Sequence, residues 1–450
     1  ANGSGFSYMD DYGLNCGISY TQTALATLTT SLSGLSNNKA YRISSGTTPS
    51  YERNFCYVSP SAATAAVKNE VTGCDPIKNS SGNITGYQCL DRLTRLKDGM
   101  FTFLNSDDAS LRLVRVGLGN YSSNGDGRSG QILVPAKELG AVNSSQRIAL
   151  KNALKDLTAY NGTPTAHGYA EAAAYLMGTK TLQSVNLNNA PLYFYYNSNN
   201  YKQCTSWSSD GTTCNGWSGW VNGQLSSAML SGLIPQKNCY VTGYSGTCYN
   251  KTGTLLFSNN DSGFTKSADD TKVADNTTYD SPLPAVADRQ SCDGQGVYIL
   301  SDGAANTTDD TRSSNLMSSA LDTFGNNFSC AGGLADNSDG GWRCMGEFAK
   351  KLFDKTKNPT GVSIQTAFVG FGSTMDNLNN QYVENACRLS SRTQDERTSD
   401  DQCSPTAPSY KTSKPGYGNG GFFIAKEYDE ITNSVIQFID NLGKNPISPL

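Results

Sequence analysis

The chain has 450 residues, of which only 16% are charged, and 39 acidic against 35 basic residues leave a net charge of −4. At roughly 150 residues per domain this length suggests about three domains, and the acidic balance excludes the basic surface of a nucleic-acid-binding protein. The 45 glycines, 24 tyrosines and mean hydropathy of −0.45 favour strands, turns and exposed loops, as in a secreted or cell-surface protein.

Hydrophobic spacing predicts helices and strands separated by long irregular stretches. In chain order, the predicted elements are a helix over 91–104, a strand over 111–118, helices over 145–157 and 166–176, a strand over 296–300, a helix over 345–353, strands over 363–372 and 421–424, and a helix over 427–442. This alternation predicts an α/β fold with a doubly wound, mostly parallel sheet and helices on both faces. Asp302 follows one of these strands, at the end where such sheets place their sites.

Several of the thirteen cysteines fall in local pairs, which predicts disulfide staples formed in an oxidising compartment. The predicted pairs are Cys204 with Cys214, Cys239 with Cys248, Cys330 with Cys344, and Cys387 with Cys403. The spacing assigns no partner to the remaining five, which are Cys16, Cys56, Cys74, Cys89 and Cys292. A zinc site is disfavoured because C-x-x-C spacing is absent and His167 is the only histidine.

His167 lies in the first turn of the helix predicted over 166–176, with no pattern of serine and aspartate partners. A nucleophile elbow is also missing, so the sequence argues against a hydrolase and for a structural, hydrogen-bonded histidine. We therefore expect binding rather than catalysis.

The sequence contains neither a run of 18 apolar residues nor the basic and apolar regions of a signal peptide at its start. These features are typical of the mature form of an exported protein without a transmembrane segment.

Two loops carry hydroxyl, amide and carboxylate side chains next to predicted helices and strands. They are YNGTPT (160–165), before the alanine-rich helix, and VYILSDG (297–303) with Asn306. Both resemble loops of the metal-ion-dependent adhesion site of a von Willebrand factor A domain. That family combines a D-x-S-x-S loop after the first strand, a threonine loop and an aspartate loop. Hydroxyl and carboxylate oxygens suit a hard divalent cation, so the resemblance implies that Asp10, Thr163 and Asp302 hold one Mg²⁺, Mn²⁺ or Ca²⁺ ion.

The first of the three loops departs from the family pattern. With a first strand over 6–10, the sequence DDYGL (10–14) aligns with D-x-S-x-S, and Tyr12 and Leu14 replace the two serines. The site is then degenerate and holds a weakly bound ion or none. The simpler alternatives are that Asp302 is a turn residue and that Thr163 caps a helix ahead of Pro164.

A narrower resemblance is to the N-terminal region of PilC/PilY-type type IV pilus adhesins, and it covers about a third of the chain. The segments that carry it include 113–121, 131–136, 162–178, 347–372 and 420–442. The resemblance implies one von Willebrand A-like domain over 1–444, with core segments 6–14, 90–178, 290–306, 344–372 and 417–443. Disulfide-stapled insertions would occupy 15–89, 179–289, 307–343 and 373–416, and a linker toward a C-terminal β-propeller would start at 445–450.

The same resemblance implies an exported protein at the pilus tip, on the cell surface or in the outer membrane of a Gram-negative bacterium. It would bind a host-cell receptor or a surface glycan and contact minor pilins, and so mediate attachment and support pilus biogenesis and twitching motility. The alternative is a non-adhesive structural or mechanosensing module of the pilus tip that engages minor pilins without a metal ion.

Trp207, Trp217 and Trp220 cluster around the predicted Cys204–Cys214 pair within the insertion over 179–289. Aromatic rings on a stapled loop can contact a sugar or a protein at little entropic cost. They can equally form a small core of the insertion itself, and the sequence does not choose between these two roles.

Overall fold

The computed structural model describes residues 9–14, 16, 26–27, 32, 34–71, 73–159, 161–186, 192–196, 200–210, 213–222, 234–236, 241–250, 254–257, 261–289, 294–331, 334–335, 339–372, 375, 380–391 and 416–443. The helices are α1 (Met9–Tyr12), α2 (Ala65–Lys68), α3 (Arg92–Asn105), α4 (Ser145–Lys155), α5 (Thr165–Met177), α6 (Asp310–Ala320), α7 (Trp342–Phe353), α8 (Gln381–Ser390) and α9 (Tyr428–Gly443). Among them, no helix is both long and apolar enough to cross a membrane.

The strands, in chain order, are β1 (Ala26–Thr27), β2 (Lys39–Ser44), β3 (Glu52–Val58), β4 (Asp75–Lys78), β5 (Ile84–Leu90), β6 (Arg115–Tyr121), β7 (Gly130–Glu138), β8 (Gln183–Asn186), β9 (Leu192–Tyr196), β10 (Asn200–Trp207), β11 (Cys214–Trp217), β12 (Val221–Asn222), β13 (Ile234–Gln236), β14 (Gly246–Asn250), β15 (Thr254–Phe257), β16 (Gln295–Ser301), β17 (Ile364–Phe371) and β18 (Asn419–Ala425). The chain is therefore a mixed α/β protein.

A three-stranded parallel sheet, in the order β16-β17-β18, lies at the centre of the fold. Every residue of β17 is buried, as expected for a strand covered on both faces. Its alternate side chains pack on opposite sides. Phe368 joins a cluster with residues of α5, α7 and α8, whereas Val369 joins one with residues of α3 and α9. Helices therefore cover both faces of this sheet, as the sequence predicts.

The strand predicted over 111–118 begins later than expected, at Arg115. The Asp108 side chain accepts a hydrogen bond from the Ser110 amide at 2.9 Å and closes a 3-10 turn over Ala109–Leu111, which delays the strand. β6 then pairs antiparallel with β7, and we call this pair the core hairpin. The connection between the two strands is too short for a parallel crossover.

The predicted helices agree with the structure to within about three residues at each end. Their starts are set by local hydrogen bonds, since the Asp91 carboxylate accepts from the Thr94 amide and Ser144 accepts from the Arg147 amide. Gly178 ends α5 in the left-handed conformation, with φ of +69°.

Two of the predicted disulfides, Cys204–Cys214 and Cys330–Cys344, are present. Cys248 and Cys387 are also disulfide-bonded, while their predicted partners Cys239 and Cys403 lie outside the described residues, as does Cys292. Two further disulfides, which the sequence could not assign, join Cys16 to Cys56 and Cys74 to Cys89. Both of these lie in the core of a five-stranded N-terminal sheet in the order β1-β2-β3-β5-β4.

The predicted insertion over 179–289 contains two different structures. An antiparallel sheet of β9–β14, which we call the insert sheet, lies beyond the antiparallel pair of β8 and β15. Residues 261–281, which we call the anchor segment, instead pack on the central fold, by which we mean the parallel sheet, its covering helices and the core hairpin. Phe264 and Tyr279 are buried in the same cluster as α5, and the Ala268 amide donates to the Ile132 carbonyl at 2.9 Å.

Candidate functional site

The carboxyl ends of the three parallel strands lie at one edge of the sheet, where Asp302, Gly372 and Lys426 follow β16, β17 and β18. The first turn of α3 lies against this edge and carries Arg92 and Arg95. A three-residue spacing places both arginines on one face of the helix. This edge, the predicted location of the site, is therefore lined by guanidinium groups as well as by carboxylates.

Arg92 joins the first loop of the predicted site to the aspartate loop. Its Nε and Nη2 donate to the two carboxylate oxygens of Asp11 at 3.1 and 2.8 Å. Its Nη1 donates to the Asp302 carbonyl at 3.1 Å and lies 3.7 Å from Asp302 Oδ2. The planar guanidinium thus binds one acidic residue in the two-point geometry that arginine favours and reaches the second at the same time.

Gly372 provides the space for this arginine. Its φ is +95°, and a Cβ built there would lie 2.7 Å from Arg92 Nε and 2.9 Å from Arg92 Cζ. The guanidinium therefore packs directly on the backbone after β17. A side chain at position 372 would displace it.

Arg95 is the second arginine that binds Asp11. Its guanidinium lies between the rings of Tyr12 and Phe371, with its Cζ 5.4 and 5.2 Å from the ring centroids, and it donates to the Asp11 carboxylate. It is also 3.7 Å from Glu427, a carboxylate whose pKa burial raises to about 7 although Arg95 opposes the rise. Tyr12, which replaces a serine of the family pattern, therefore stacks on an arginine.

The threonine and aspartate loops also meet, as the resemblance implies. The Thr163 amide donates to Asn306 Oδ1 at 2.7 Å, and the Asn306 amide donates to the Thr163 carbonyl at 3.0 Å. Gly162 allows the contact, because a Cβ at this position would lie 2.8 Å from Thr307 Oγ1. The helix after the threonine loop has Pro164 at its N-cap, with no side-chain capping bond.

Sequence reasoning missed Asp11, Arg92 and Arg95, although the sequence DRLTR (91–95) carried a signal in its two arginines three residues apart. Of the three proposed ligands, Thr163 and Asp302 lie in loops that the structure brings together. Asp10 is in α1, and its side chain lies outside the described residues. No group of three or more His, Cys, Asp or Glu side chains suited to a metal ion occurs in the described part of the chain.

The described side chains at this edge do not fit a divalent cation. Both oxygens of Asp11 accept from guanidinium groups, and Arg92 lies close to the Asp302 carboxylate. A divalent ion about 4 Å from a guanidinium would be repelled by about 8 kcal/mol at an effective dielectric constant of about 20. An ion could bind between these carboxylates only if Arg92 moved away.

A cavity of about 330 Å³ lies between the core hairpin and the parallel sheet, with Arg92 and Asp302 at one end. Leu93, Leu96 and Met100 of α3 line one side, and Tyr169 and Ala172 of α5 line the other. Residues of β6 and β16 also line it. At the end near Asp302, the Tyr121 hydroxyl crosses the gap and donates to the Leu300 carbonyl at 3.2 Å.

The three tryptophans proposed for ligand binding are partly buried in the insert sheet. They pack around Phe194 and the buried Cys204. The ring centroids of Trp217 and Trp220 lie 6.1 and 6.2 Å from that of Phe194, and Trp220 also contacts Tyr244 at 4.8 Å. These contacts support the role as a core of the insertion, and ligand binding by their exposed parts stays a prediction.

His167 is fully buried on α5, and its Nδ1 pairs with the Arg128 carbonyl, so the histidine is hydrogen-bonded as predicted, and its structural role stays a prediction. Burial lowers the pKa of this imidazole.

The chain as a whole matches no protein-family model, no curated protein and no solved structure.

Proposed function

We propose that this chain is the N-terminal, von Willebrand A-like region of a PilC/PilY-type type IV pilus adhesin, which attaches a Gram-negative bacterium to host cells or surfaces. The observation that carries the proposal is the meeting of the Thr163 and Asp302 loops at the carboxyl ends of a parallel sheet covered by helices on both faces. Open α/β sheets bind their partners at this edge. The disulfides are compatible with export to an oxidising compartment.

The doubly wound von Willebrand A fold is part of this proposal. The cavity is lined by residues of β6 and β16 and by residues of helices α3 and α5. Adjacent strands lie about 4.8 Å apart, whereas here a whole tyrosine side chain spans the gap between β6 and β16. We propose that the core hairpin and the parallel sheet belong to one von Willebrand A-like domain. The predicted first strand over 6–10 is wrong at its end, because Met9 and Asp10 are helical in α1, and residues 6–8 lie outside the described part of the chain.

In this proposal the insert sheet supplies the adhesive surface. It carries Trp207, Trp217 and Trp220 on a disulfide-stapled antiparallel scaffold, and rigid aromatic rings lose little entropy on binding a glycan or a receptor. We call the edge of the sheet where the carboxyl ends of the three parallel strands lie, next to Asp302, the loop edge. It would face minor pilins or the C-terminal β-propeller of the full-length protein.

The test is an adhesion assay on piliated bacteria that carry a chain without the insert sheet. Residue Asn186 of β8 lies opposite Thr254 of β15, so an Asn-Gly turn can replace residues 187–253 and close the β8–β15 pair. This excision keeps the anchor segment. We expect adhesion per pilus to be lost while pilus number stays normal, and unchanged adhesion would refute the role of the insert sheet.

The second candidate is a non-adhesive structural or mechanosensing module that engages minor pilins without an ion. The Arg92 contacts favour it, because they join the loops without a metal. If the excised chain reduces pilus number or twitching motility but leaves adhesion per pilus intact, this candidate replaces the first.

A further inference from the structure

We propose that the guanidinium of Arg92 is a built-in cation that takes the place of a metal ion at the loop edge, so that any binding at this edge is independent of divalent ions. The comparison with a metal site rests on the proposed function, whereas the arginine clamp itself rests only on contacts between described residues. We use the term arginine clamp for Arg92 with Asp11 and Asp302.

The first step of the argument is what the clamp connects. A metal ion at an adhesion site would bridge the acidic residue of the first loop and the aspartate after a later strand. Arg92 makes a similar connection through Asp11, the neighbour of the aligned Asp10, because Nε and Nη2 bind both oxygens of Asp11 while Nη1 binds the Asp302 carbonyl. The positive charge thus lies where two negative side chains approach each other.

The second step is that the surroundings are shaped for a guanidinium. Gly372 leaves room for the Arg92 side chain, which a Cβ would contact at 2.7 Å. Arg95, which lies between Tyr12 and Phe371, also binds the Asp11 carboxylate. The side chains of Arg92 and Asp11 are only 13% and 6% exposed, so the pair is shielded from solvent and from screening by salt.

The third step is the consequence for binding. A metal-dependent adhesion site binds a partner's carboxylate through an open coordination position, and a chelator abolishes that binding. At the arginine clamp the positive charge is that of the Arg92 guanidinium, which is part of the polypeptide, so a chelator cannot remove it. We therefore expect the loop edge to keep its shape, and the protein to keep its partner, in the presence of EDTA.

The test is thermal unfolding of the wild-type protein and of Arg92→Gln in millimolar Mg²⁺, Mn²⁺ or Ca²⁺ and in EDTA. The control is Arg128→Gln, which removes an exposed arginine. We expect the wild-type melting temperature to be the same in every buffer. Arg92→Gln should melt a few degrees below Arg128→Gln, and a divalent ion should restore part of the loss, because Asp11 and Asp302 lose the positive charge of Arg92 while Asp11 keeps that of Arg95.

Three outcomes would overturn the arginine clamp. They are stabilisation of the wild-type protein by any of the three ions, equal melting temperatures for the two variants, and an Arg92→Gln protein that no ion stabilises. If Arg92→Gln fails to fold, calorimetric titration of the wild-type protein with each ion decides, and measurable binding counts against the clamp.

Two measurements distinguish a failure of this inference from a failure of the proposed function. Stabilisation of the wild-type protein by a divalent ion would overturn the clamp and leave the adhesin proposal standing, because the proposed adhesive surface is the insert sheet. Adhesion that survives excision of residues 187–253 would remove the adhesive insert sheet and leave the clamp untouched.

Discussion

At the scale of single residues, buried charged groups join segments that are far apart in the sequence. Glu171 is an example: it lies fully buried on α5 and accepts hydrogen bonds from the Thr181 hydroxyl at 2.8 Å and the Gly263 amide at 2.9 Å. The Tyr279 hydroxyl also donates to it. Two of these three donors belong to the anchor segment, so one carboxyl group holds this part of the insertion on the central fold.

This carboxyl group makes stability depend on pH. Burial raises the pKa of Glu171 to about 7, whereas a carboxyl in the unfolded chain titrates near 4.5. The folded state therefore holds a proton that the unfolded state releases between these values, and the free energy of unfolding falls as pH rises from about 4.5 to 7. A difference of about 2.5 pKa units is worth at most about 3 kcal/mol.

We predict that Glu171→Gln reduces the slope of this pH dependence without abolishing it, because the amide does not titrate, whereas Glu427, whose pKa burial also raises to about 7, still does. The measurement is urea unfolding at several values between pH 4.5 and 8, with the exposed Glu138→Gln as the control. Glu138→Gln should keep the wild-type slope. A Glu171→Gln protein with an unchanged slope would show that other groups are responsible.

At the scale of elements, the sequence was most informative for helices. α3, α4 and α9 follow their apolar spacing because each packs one face on a core. α5 is buried on nearly every side, which agrees with its alanine-rich sequence. The strand predicted over 111–118 was the exception. Leu111 is buried in a 3-10 turn and Leu113 is 78% exposed, so the apolar run does not follow the faces of one strand. Pairing between cysteines far apart in the chain could not be predicted either, since it depends on how strands align.

Such a pairing leads to a prediction for the N-terminal sheet. Cys16–Cys56 closes a loop of 40 residues and ties the segment after α1 to β3. In the chain-entropy model a loop of this length contributes about 4 kcal/mol, whereas the ten-residue loop of Cys204–Cys214 contributes about 3 kcal/mol. Replacing both residues of the first pair by alanine should therefore lower the stability of the central fold.

The matched control replaces Cys204 and Cys214 by alanine. The insert sheet has a core of its own, so we expect this change to leave the main unfolding transition in place. Differential scanning calorimetry measures both variants. A main transition that moves equally in the two would contradict a local role for the second disulfide.

At the scale of the whole molecule, the central core is assembled from distant segments. One hydrophobic cluster contains Ile132 of β7, Phe264 of the anchor segment, Val297 of β16 and Phe422 of β18. The length suggested about three domains, yet this cluster draws on widely separated parts of the chain. Among the described residues, the insert sheet has a separate, smaller cluster around Phe194.

This division predicts that the two parts of the insertion tolerate removal differently. Replacing residues 187–253 by an Asn-Gly turn should leave the main unfolding temperature unchanged, because the central core stays complete. Removal of residues 187–281 should lower it or prevent folding, since Phe264 and Tyr279 leave the core and Glu171 loses two hydrogen-bond donors. Circular dichroism on heating measures both.

Equal unfolding temperatures for these two excisions would contradict the anchoring role of residues 261–281. A misfolded 187–253 excision would show instead that the insert sheet is required for the central fold.

The sequence by itself determined several local features of this protein: the helices α3, α4, α5, α7 and α9, the buried strands β16 and β17, the disulfides Cys204–Cys214 and Cys330–Cys344, and the helix-covered parallel sheet. It did not predict the helices α6 and α8 or the disulfide Cys74–Cys89. The predicted features follow from side-chain spacing and short loops, which act over a few residues. The resemblance implied that the Thr163 and Asp302 loops meet, and the structure places them together. Only the tertiary structure decided that Asp11 and Arg92 meet Asp302. Arg92 is 81 positions from Asp11 and 210 positions from Asp302 in the sequence, and the fold must bring all three to one sheet edge before their charges interact. Coulomb and hydrogen-bond energies at that edge depend on distances that no local pattern contains.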